Sequence, residues 1–246
     1  MKLLPVMLFA SLTVLGGPSV AVGSVQEELR WHGWAPGGQL VEINNVHGNV
    51  RAELASGDEI EIVALKRGEG DPEAVNIEVI EHKGGVTICA VYPNASSDHP
   101  FECRPSHGGG FKEVSASDSE AHIRWDNGGG GDVMLNDVRV DFVVRLPRRL
   151  RFIGRTVDGD VSTHMLEQDI EAHSVNGDVR VDMNSTSGGE VRAETGAGKV
   201  DSAFPLVLRC QEGHGISANG RVGRSHRMLR LKTRVGNIHV DRATRT

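Results

Sequence analysis

Aromatic residues are scarce in this chain, and long apolar runs are confined to its first residues. Six Phe, three Trp and one Tyr stand among 246 residues, too few for a core built mainly from packed rings. Hydrophobic residues make up 38% of the chain and charged residues 24%, which argues against a polytopic membrane protein and a wholly disordered chain. Glycine is abundant instead, with 31 residues. Many turns and few rings favour a β-rich fold over a helical bundle, in one large domain or two small ones.

The N-terminal segment is typical of an export signal. A single lysine precedes an apolar stretch at residues 3–17, and small residues follow at 21–24. The stretch is shorter than the ~20 residues that span a bilayer as a helix. We therefore predict a signal peptide over residues 1–23 that is cleaved after Gly23, with an uncleaved anchor as the alternative. A cleaved signal places the mature protein outside the cytoplasm, in the periplasm or secreted.

A glycine recurs at a fixed place in a repeated pattern. The position seven residues before it is always apolar, the position five before is small or apolar, and most copies carry Val or Ile two residues after it. A spacing of two is the period of a β-strand, and a glycine at constant phase marks a corner that a Cβ would obstruct. Each copy is therefore predicted to form a strand, a corner and a second strand. The corner glycines are Gly48, Gly159, Gly177, Gly198, Gly215 and Gly236.

These units are too short to fold alone. In the second half of the chain the glycines are 17 to 21 residues apart, so one copy cannot bury its own apolar face. We predict that successive copies stack about 4.8 Å apart, like over like, with Ile170, Val191 and Leu208 above one another. The predicted fold class is all-β, a short parallel β-solenoid with a long inserted loop. An antiparallel sandwich of short strands is the alternative, although it would not show such column identity.

Cysteine occurs only three times, as Cys89, Cys103 and Cys210. An exported chain can form disulfides, and an odd count leaves one thiol over. Cys210 falls in the repeat column of Ala172 and Ala193, so we expect it to be buried and reduced. Cys89 and Cys103 are then predicted to form the disulfide, which would contribute ~3 kcal/mol on the chain-entropy model.

The regular repeat is interrupted in the first half. Residues 76–81 and 86–91 indicate a hairpin or two adjacent solenoid strands. Gly, Ser, His and Asp dominate the next stretch, which predicts a long surface loop. The predicted segments are a signal peptide at 1–23, a capping segment with Trp31 and Trp34 at 24–37, the solenoid domain at 38–243 with its loop insertion at 93–131, and a tail at 244–246.

Four segments carry a resemblance to a known family: residues 41–50 (VEINNVHGNV), 86–93 (VTICAVYP), 155–161 (RTVDGDV) and 173–179 (HSVNGDV). The chain resembles the bacterial putative-adhesin domain, also called toastrack, over roughly residues 38–243. The resemblance implies a single-domain β-solenoid with an extracytoplasmic role, and some relatives in that family are linked to envelope-stress systems. It supplies no catalytic motif. Residues 211–216 depart most from the pattern, so a distorted coil is expected at Gly215.

Charge divides along the chain. Residues 24–138 hold 8 basic and 20 acidic residues, whereas residues 139–246 hold 18 and 13. Stacking of the copies would collect the basic residues of the last strands into a cationic face near one end. Such a face suits an anionic polymer, a membrane surface or an acidic partner, and a solvated exterior is the plainer alternative. Nucleic acid is not expected, because few aromatics accompany the cations. The candidate residues are Arg192, Arg209, Arg230, Lys232 and Arg234.

Enzyme motifs are incomplete. Residues 215–220 miss the glycine spacing of a nucleophile elbow, and Val200 stands where a phosphate-binding loop needs Ser or Thr. Asp158, Asp160 and Asp178 are adequately explained by turn chemistry, although a polysaccharide-active solenoid enzyme would use such carboxylates. We therefore predict no catalytic residues.

Metal ligands are also incomplete. His99, Cys103 and His107 are evenly spaced, but a disulfide would remove the thiolate and no fourth ligand accompanies them. No metal site and no cofactor are predicted.

The sequence thus favours a non-enzymatic extracytoplasmic binding or scaffold protein of the bacterial envelope. An interaction module of envelope-stress signalling, which would need a separate membrane partner, is the second hypothesis, and a polysaccharide-active β-helix enzyme is the third. The partner is unknown: an anionic envelope polymer or a membrane-associated protein would fit the cationic end. End-to-end self-association is a further expectation, because a solenoid exposes strand edges at its ends.

Overall fold

The structure is a computed structural model that describes residues 25–93, 103, 137–184, 188–211 and 215–243. The predicted signal peptide, most of the predicted loop insertion and the C-terminal tail lie outside the described residues. Within the described ranges, no helix is long and apolar enough to cross a membrane.

The regular secondary structure of the described residues is almost entirely β-strand. One 3-10 turn, η1 (Pro72–Ala74), lies between the fourth and fifth strands. The strands are β1 (Val25–Gly33), β2 (Leu40–Asn44), β3 (Val50–Leu54), β4 (Ile60–Gly68), β5 (Asn76–His82), β6 (Gly85–Val91), β7 (Val138–Leu146), β8 (Arg151–Asp158), β9 (Val161–His164), β10 (Ile170–Asn176), β11 (Val179–Met183), β12 (Glu190–Ala197), β13 (Val200–Ser202), β14 (Val207–Gln211), β15 (Gly215–Arg221), β16 (Met228–Val235) and β17 (Ile238–Arg242).

The strands form two sheets. Sheet A has eight strands in the order β1-β4-β7-β3-β9-β11-β17-β13, and sheet B has nine in the order β14-β15-β12-β16-β10-β8-β2-β6-β5. Five of the six glycine copies, all but that of Gly215, place the first strand in sheet B and the second in sheet A, as β8 and β9 do around Gly159. Equivalent strands of neighbouring copies pair in parallel. The predicted all-β, solenoid-like fold with parallel pairing is confirmed.

The glycine corners are contacts between one backbone and the next. Gly177 has a φ of 153°, and a Cβ there would lie 2.0 Å from the carbonyl oxygen of Gly159 in the neighbouring coil. That carbonyl accepts a hydrogen bond of 2.7 Å from the Ser174 hydroxyl. The carbonyls of Gly48, Gly177 and Gly236 likewise accept 2.8 Å bonds from Thr156, Thr233 and Thr195. Four corners therefore combine the glycine with a hydroxyl three residues earlier, and at Gly48 the Asn45 amide takes that place and donates to the Val140 carbonyl at 2.8 Å.

The core lies between the two sheets. Inward side chains of sheet B form rows across the coils, one of which joins Phe152, Ile170, Leu229 and Val191 in register. Each of these four is at most 2% exposed. Burial of such a side chain contributes about 1.5–3 kcal/mol, so the rows are the main source of stability for the stack.

The coils do not stack in chain order, which corrects the prediction. The last copy, with β16 and β17, inserts between the copy of Ile170 and that of Val191, so Leu229 separates these two residues. The copy around Gly198 lies at the end of the stack. Its second strand, β13, is only three residues long, and its Asp201 and Ser202 are exposed. A weak second strand suits an edge, whereas the apolar strands of the last copy suit an interior place.

The prediction of a solenoid coil around Gly215 is wrong. β14 and β15 form an antiparallel pair at the end of sheet B, and β15 pairs antiparallel with β12. This segment has Glu212 three residues before the glycine, where the true corners carry a hydroxyl or an amide. Leu208 therefore does not lie over Val191 but pairs with Ala218, and it is 56% exposed.

The cysteine predictions are met in part. Cys89 and Cys103 form a disulfide with an S–S distance of 1.99 Å. Cys210 is free, but it is exposed rather than buried, because β14 is an edge strand that no further coil covers among the described residues.

The other end of the molecule is antiparallel. Residues 76–91 form the hairpin of β5 and β6 rather than two solenoid strands. The expected capping segment contains β1, which is the edge strand of sheet A and pairs antiparallel with β4. Trp31 on this strand packs against the core, while Trp34 is 73% exposed.

Candidate functional site

The predicted basic residues lie on the outer surface of sheet B. The inward positions Val191, Ala193, Leu229 and Leu231 are buried, and alternation along the strands directs the residues between them outward. We define the cationic face as Arg192 on β12, Arg209 on β14, and Arg230, Lys232 and Arg234 on β16. All are exposed except Lys232, which is half-buried.

The structure brings Arg192 and Arg230 together in register on neighbouring strands. It does so because β16 pairs directly with β12, and not because the copies follow one another along the chain. Arg209 does not join their row, contrary to the prediction. Its partner across β14 and β15 is Ser217, so Arg209 lies two residues away, in the row of Glu194 and Lys232.

Few carboxylates neutralise this face. Arg192 pairs with Glu190 at 2.7 Å. No ion pair is found for Arg209, Arg230 or Arg234 among the described residues. Like charges directly opposite each other on neighbouring strands repel, so the Arg192–Arg230 pair is costly unless an anion approaches it.

Arginines on the outer surface of sheet A, unlike most of those on the cationic face, have acidic partners. Arg145 bridges Glu53 and Glu61 at 2.9 and 2.7 Å, and Arg180 reaches Asp241 at 2.7 Å. Where two arginines meet in register there, Arg67 and Arg139, both contact Asp141. The shortage of counter-ions is therefore a property of the cationic face and not of the whole surface.

Arg221 extends the face and was missed by the sequence analysis. It ends β15, opposite Glu190 on β12, and its guanidinium lies 3.9 Å from that carboxylate. It stands outside the repeat columns because it belongs to the antiparallel strand. Only alternation within residues 215–221 could have placed it outward.

A buried polar network borders the face on β6, β2, β8 and β10. Arg155 donates to the Glu42 carboxylate and, at 2.9 Å, to Glu171. Thr87 donates to the other Glu42 oxygen at 3.1 Å. Glu42 is fully buried, and Arg155 and Glu171 retain only 12% and 15% of their side-chain exposure. Glu171 also lies in register with Arg230, so the network meets the cationic face there.

His173 belongs to the same buried outer region. It lies on β10 between Lys232 on β16 and Arg155 on β8 and is 4% exposed. Burial, together with the charges of Lys232 and Arg155, lowers the pKa of His173 to about 3. The imidazole is therefore neutral at physiological pH and adds no positive charge to the cationic face.

This pKa makes the stability of the protein depend on pH. An unfolded histidine takes up a proton near pH 6.5, whereas folded His173 does so only near pH 3. Between these values the unfolded state binds the extra proton, so stability falls as the pH falls, by up to about 1.4 kcal/mol per pH unit from this group. We measure the unfolding free energy in urea at pH values from 7 to 4.5. His173→Gln should reduce the slope of unfolding free energy against pH by up to about 1.4 kcal/mol per pH unit. Parallel profiles for both proteins would contradict the assignment.

Two of the three aspartates weighed as catalytic groups, Asp160 and Asp178, have a structural role. Each follows a corner glycine, and its side chain accepts the backbone N–H of the equivalent residue in the next coil. Asp160 Oδ1 accepts from Asp178 at 2.8 Å, and Asp178 Oδ1 accepts from Asn237 at 2.6 Å. The row ends at Lys199, whose N–H donates to Asn237 at 3.1 Å. These carboxylates form a ladder between coils, as turn chemistry predicts.

Metal ligands do not gather in the described part of the chain, where no group of three His, Cys, Asp or Glu side chains could hold an ion. Cys103, one of the three evenly spaced residues considered for a metal, is in the disulfide. His99 and His107 lie outside the described residues.

Comparison with known proteins identifies no family for this chain. No family model and no curated protein matches the chain. Among solved structures, the chain is similar to one described as a putative cell adhesion protein from Clostridium sporogenes ATCC 15579, with 12% identity and a TM-score of 0.48. The match covers 88% of this chain and 100% of that one. The resemblance to the toastrack family therefore stays a prediction.

Proposed function

We propose that this is a non-enzymatic extracytoplasmic binding protein, adhesin-like in architecture, whose cationic face holds an anionic polymer of the bacterial envelope. The solenoid acts as a stiff scaffold, and sheet B presents the charges on one side. The Cys89–Cys103 disulfide supports the compartment, since disulfides persist in oxidising surroundings.

The observation that carries the proposal is the Arg192–Arg230 pair. Two arginines in register, of which only Arg192 has an ion partner among the described residues, are unfavourable in a free sheet. Arg234 on the same face likewise has no ion pair in that part of the chain. A bound anionic group would relieve this repulsion. The free energy that the repulsion costs the unbound protein would then contribute to binding.

The spacing of these charges suits a polymer better than a single small anion. Neighbouring strands are about 4.8 Å apart, and alternate residues along a strand are roughly 7 Å apart. Adjacent charges such as Arg192 and Arg230, or Arg230 and Lys232, therefore lie within about one Debye length of each other, about 8 Å at physiological salt, and act together. A chain with repeated carboxylate or sulfate groups can contact several of them at once, which gives avidity that a monovalent anion lacks.

Heparin, a soluble sulfated polymer, serves as the probe. Arg230→Ala/Arg234→Ala should weaken binding about 5- to 30-fold, at roughly 0.5–1 kcal/mol for each exposed contact, and wild-type binding should weaken with added salt. The matched control is Arg51→Ala/Arg180→Ala, which removes the same charge from exposed arginines of sheet A. Binding is measured by isothermal titration at two salt concentrations.

Equal losses in the two double variants would show that only net charge matters and would overturn the assignment of the face. Binding that is absent from the wild-type protein would overturn the proposal itself. Release of soluble sugar from the polymer would contradict its non-enzymatic part.

A further inference from the structure

We propose that copies of this protein associate head to tail, with β14 of one copy pairing with β5 of the next. These two strands are the opposite edges of sheet B among the described residues. An edge strand offers an unpaired row of backbone donors and acceptors to another strand. The proposed occupant of each edge is therefore the other edge of a second copy.

The strand directions permit this pairing without turning the molecule over. β6, β2, β8, β10, β16 and β12 are mutually parallel, β5 is antiparallel to β6, and two antiparallel steps make β14 parallel to β12. A copy moved along the sheet thus presents its β5 antiparallel to β14. Its outer face stays outward and its core side stays inward.

One register matches the side chains on the core side. Leu208 lies in the row of the buried Ala218, and Val79 lies in the row of the buried Ile88. Placing Leu208 opposite Val79 also places Cys210 opposite Ile77. Leu208 is 56% exposed in the single copy, and Ile77 and Val79 are only partly buried, so the contact would bury apolar surface at both edges.

The same register matches the outer side. It places Val207, which is 59% exposed, opposite Ile80, and Arg209 opposite the exposed Glu78. Opposite charges on facing positions stabilise a strand pair. A shift by two residues in one direction puts Leu208 against Glu81, and in the other it puts Arg209 against Asn76. The charge and apolar matches therefore select a single alignment.

This contact is heterologous, and because the next copy is related by a shift along the sheet rather than by a rotation, it repeats without closing. Each added copy leaves a basic β14 edge at one end and an acidic β5 edge at the other. Sheet B would continue from copy to copy, with every cationic face on one side. The inference concerns self-association alone and does not depend on what that face binds.

Cross-linking of the full-length chain tests the register. Paired residues in a sheet have Cα atoms about 4.5–5.5 Å apart, within the range that a disulfide spans. Ile77→Cys should therefore join Cys210 of the next copy under mild oxidation and give a ladder of dimers, trimers and larger species on non-reducing gels. Adding Cys210→Ser should abolish the ladder. Val79→Cys, on the same side but opposite Leu208, should give at least about fivefold less product.

A charge exchange tests the same contact without cysteine chemistry. Arg209→Glu should abolish association measured by light scattering, and Arg209→Glu/Glu78→Arg should restore it, because the facing pair is again of opposite sign. Equal cross-linking of the two cysteine variants would overturn the register. Dimers that need Cys210 but not residue 77, or a wild-type protein that stays monomeric at its highest soluble concentration, would overturn the head-to-tail contact. Circular dichroism of each variant confirms that it is folded.

Discussion

Gly177→Ala should destabilise the protein by about 3 kcal/mol or more. Two costs add at this corner. The φ of 153° is one that L side chains rarely adopt, and such strain costs about 1–3 kcal/mol. The new Cβ would also lie 2.0 Å from the Gly159 carbonyl oxygen. Since that oxygen belongs to the backbone of the next coil, relief requires the two coils to separate.

Two other glycines divide the effect into its parts. At Gly57 no heavy atom lies within 4 Å of the place that an added methyl group would take, and φ is not positive, so Gly57→Ala should change the unfolding free energy by no more than about 0.5 kcal/mol. Gly38 has a φ of 85° with the same open space, so Gly38→Ala should show backbone strain alone, about 1–2 kcal/mol. Urea unfolding followed by circular dichroism measures all three.

If Gly177→Ala does not fold, Thr233→Val probes the same corner more gently. It removes the hydroxyl that donates to the Gly177 carbonyl at 2.8 Å and should cost about 1–2 kcal/mol, because the carbonyl loses a partner in a partly buried site. A Gly177→Ala protein as stable as wild type would contradict the account of the corner as a backbone contact.

The repeat was legible in the sequence because its causes are local. A glycine that no Cβ may replace, a hydroxyl three residues earlier and apolar residues at intervals of two all lie within one short copy. Four of the six predicted corners follow this rule in full, and Gly48 follows it with the Asn45 amide in place of the hydroxyl. Gly215 does not, since its copy lacks the hydroxyl, and its φ of 82° differs from the values of 126° to 157° at the five true corners.

The order of the coils could not be predicted from the sequence, because either edge of a coil can pair with any neighbour that has a similar column of side chains. The sequence therefore placed Leu208 and Cys210 in the core, whereas the hairpin at the end of sheet B exposes both. The cationic face was found in part, since Arg192 and Arg230 do share a row. Its buried neighbours Glu42 and His173 were missed, because alternation alone assigns them to an outer surface, and their burial depends on contacts remote in the chain.

The second large loss of stability is expected in the buried network of Arg155, Glu42 and Glu171. Arg155→Met should cost about 3–5 kcal/mol, the range for removing one partner from a buried ion pair. The guanidinium is shared by the carboxylates of Glu42 and Glu171, and without it two negative groups remain at a site where water is largely excluded. Replacing Arg155, Glu42 and Glu171 together by Met should recover much of the loss, since no buried charge of this group is then left.

Arg145 supplies a matched control on sheet A. It also bridges two glutamates, Glu53 and Glu61, but it keeps 43% of its side-chain exposure. Arg145→Met should therefore cost roughly a third as much or less, because water screens a half-exposed ion pair. Equal losses at the two positions, measured by urea unfolding, would show that burial of the network does not govern its strength.

The Arg155 variant should also weaken heparin binding, although Arg155 itself is largely buried. Glu171 lies in register with Arg230, yet its carboxylate is held by Arg155 at 2.9 Å. Once the guanidinium is removed, Glu171 can turn to Arg230 and neutralise it, as facing opposite charges do on neighbouring strands. Adding Glu171→Gln to Arg155→Met should then restore binding, whereas a purely structural loss would persist in the double variant. Such a recovery would show that the network keeps one carboxylate occupied, so that the arginine beside it stays available to an anion.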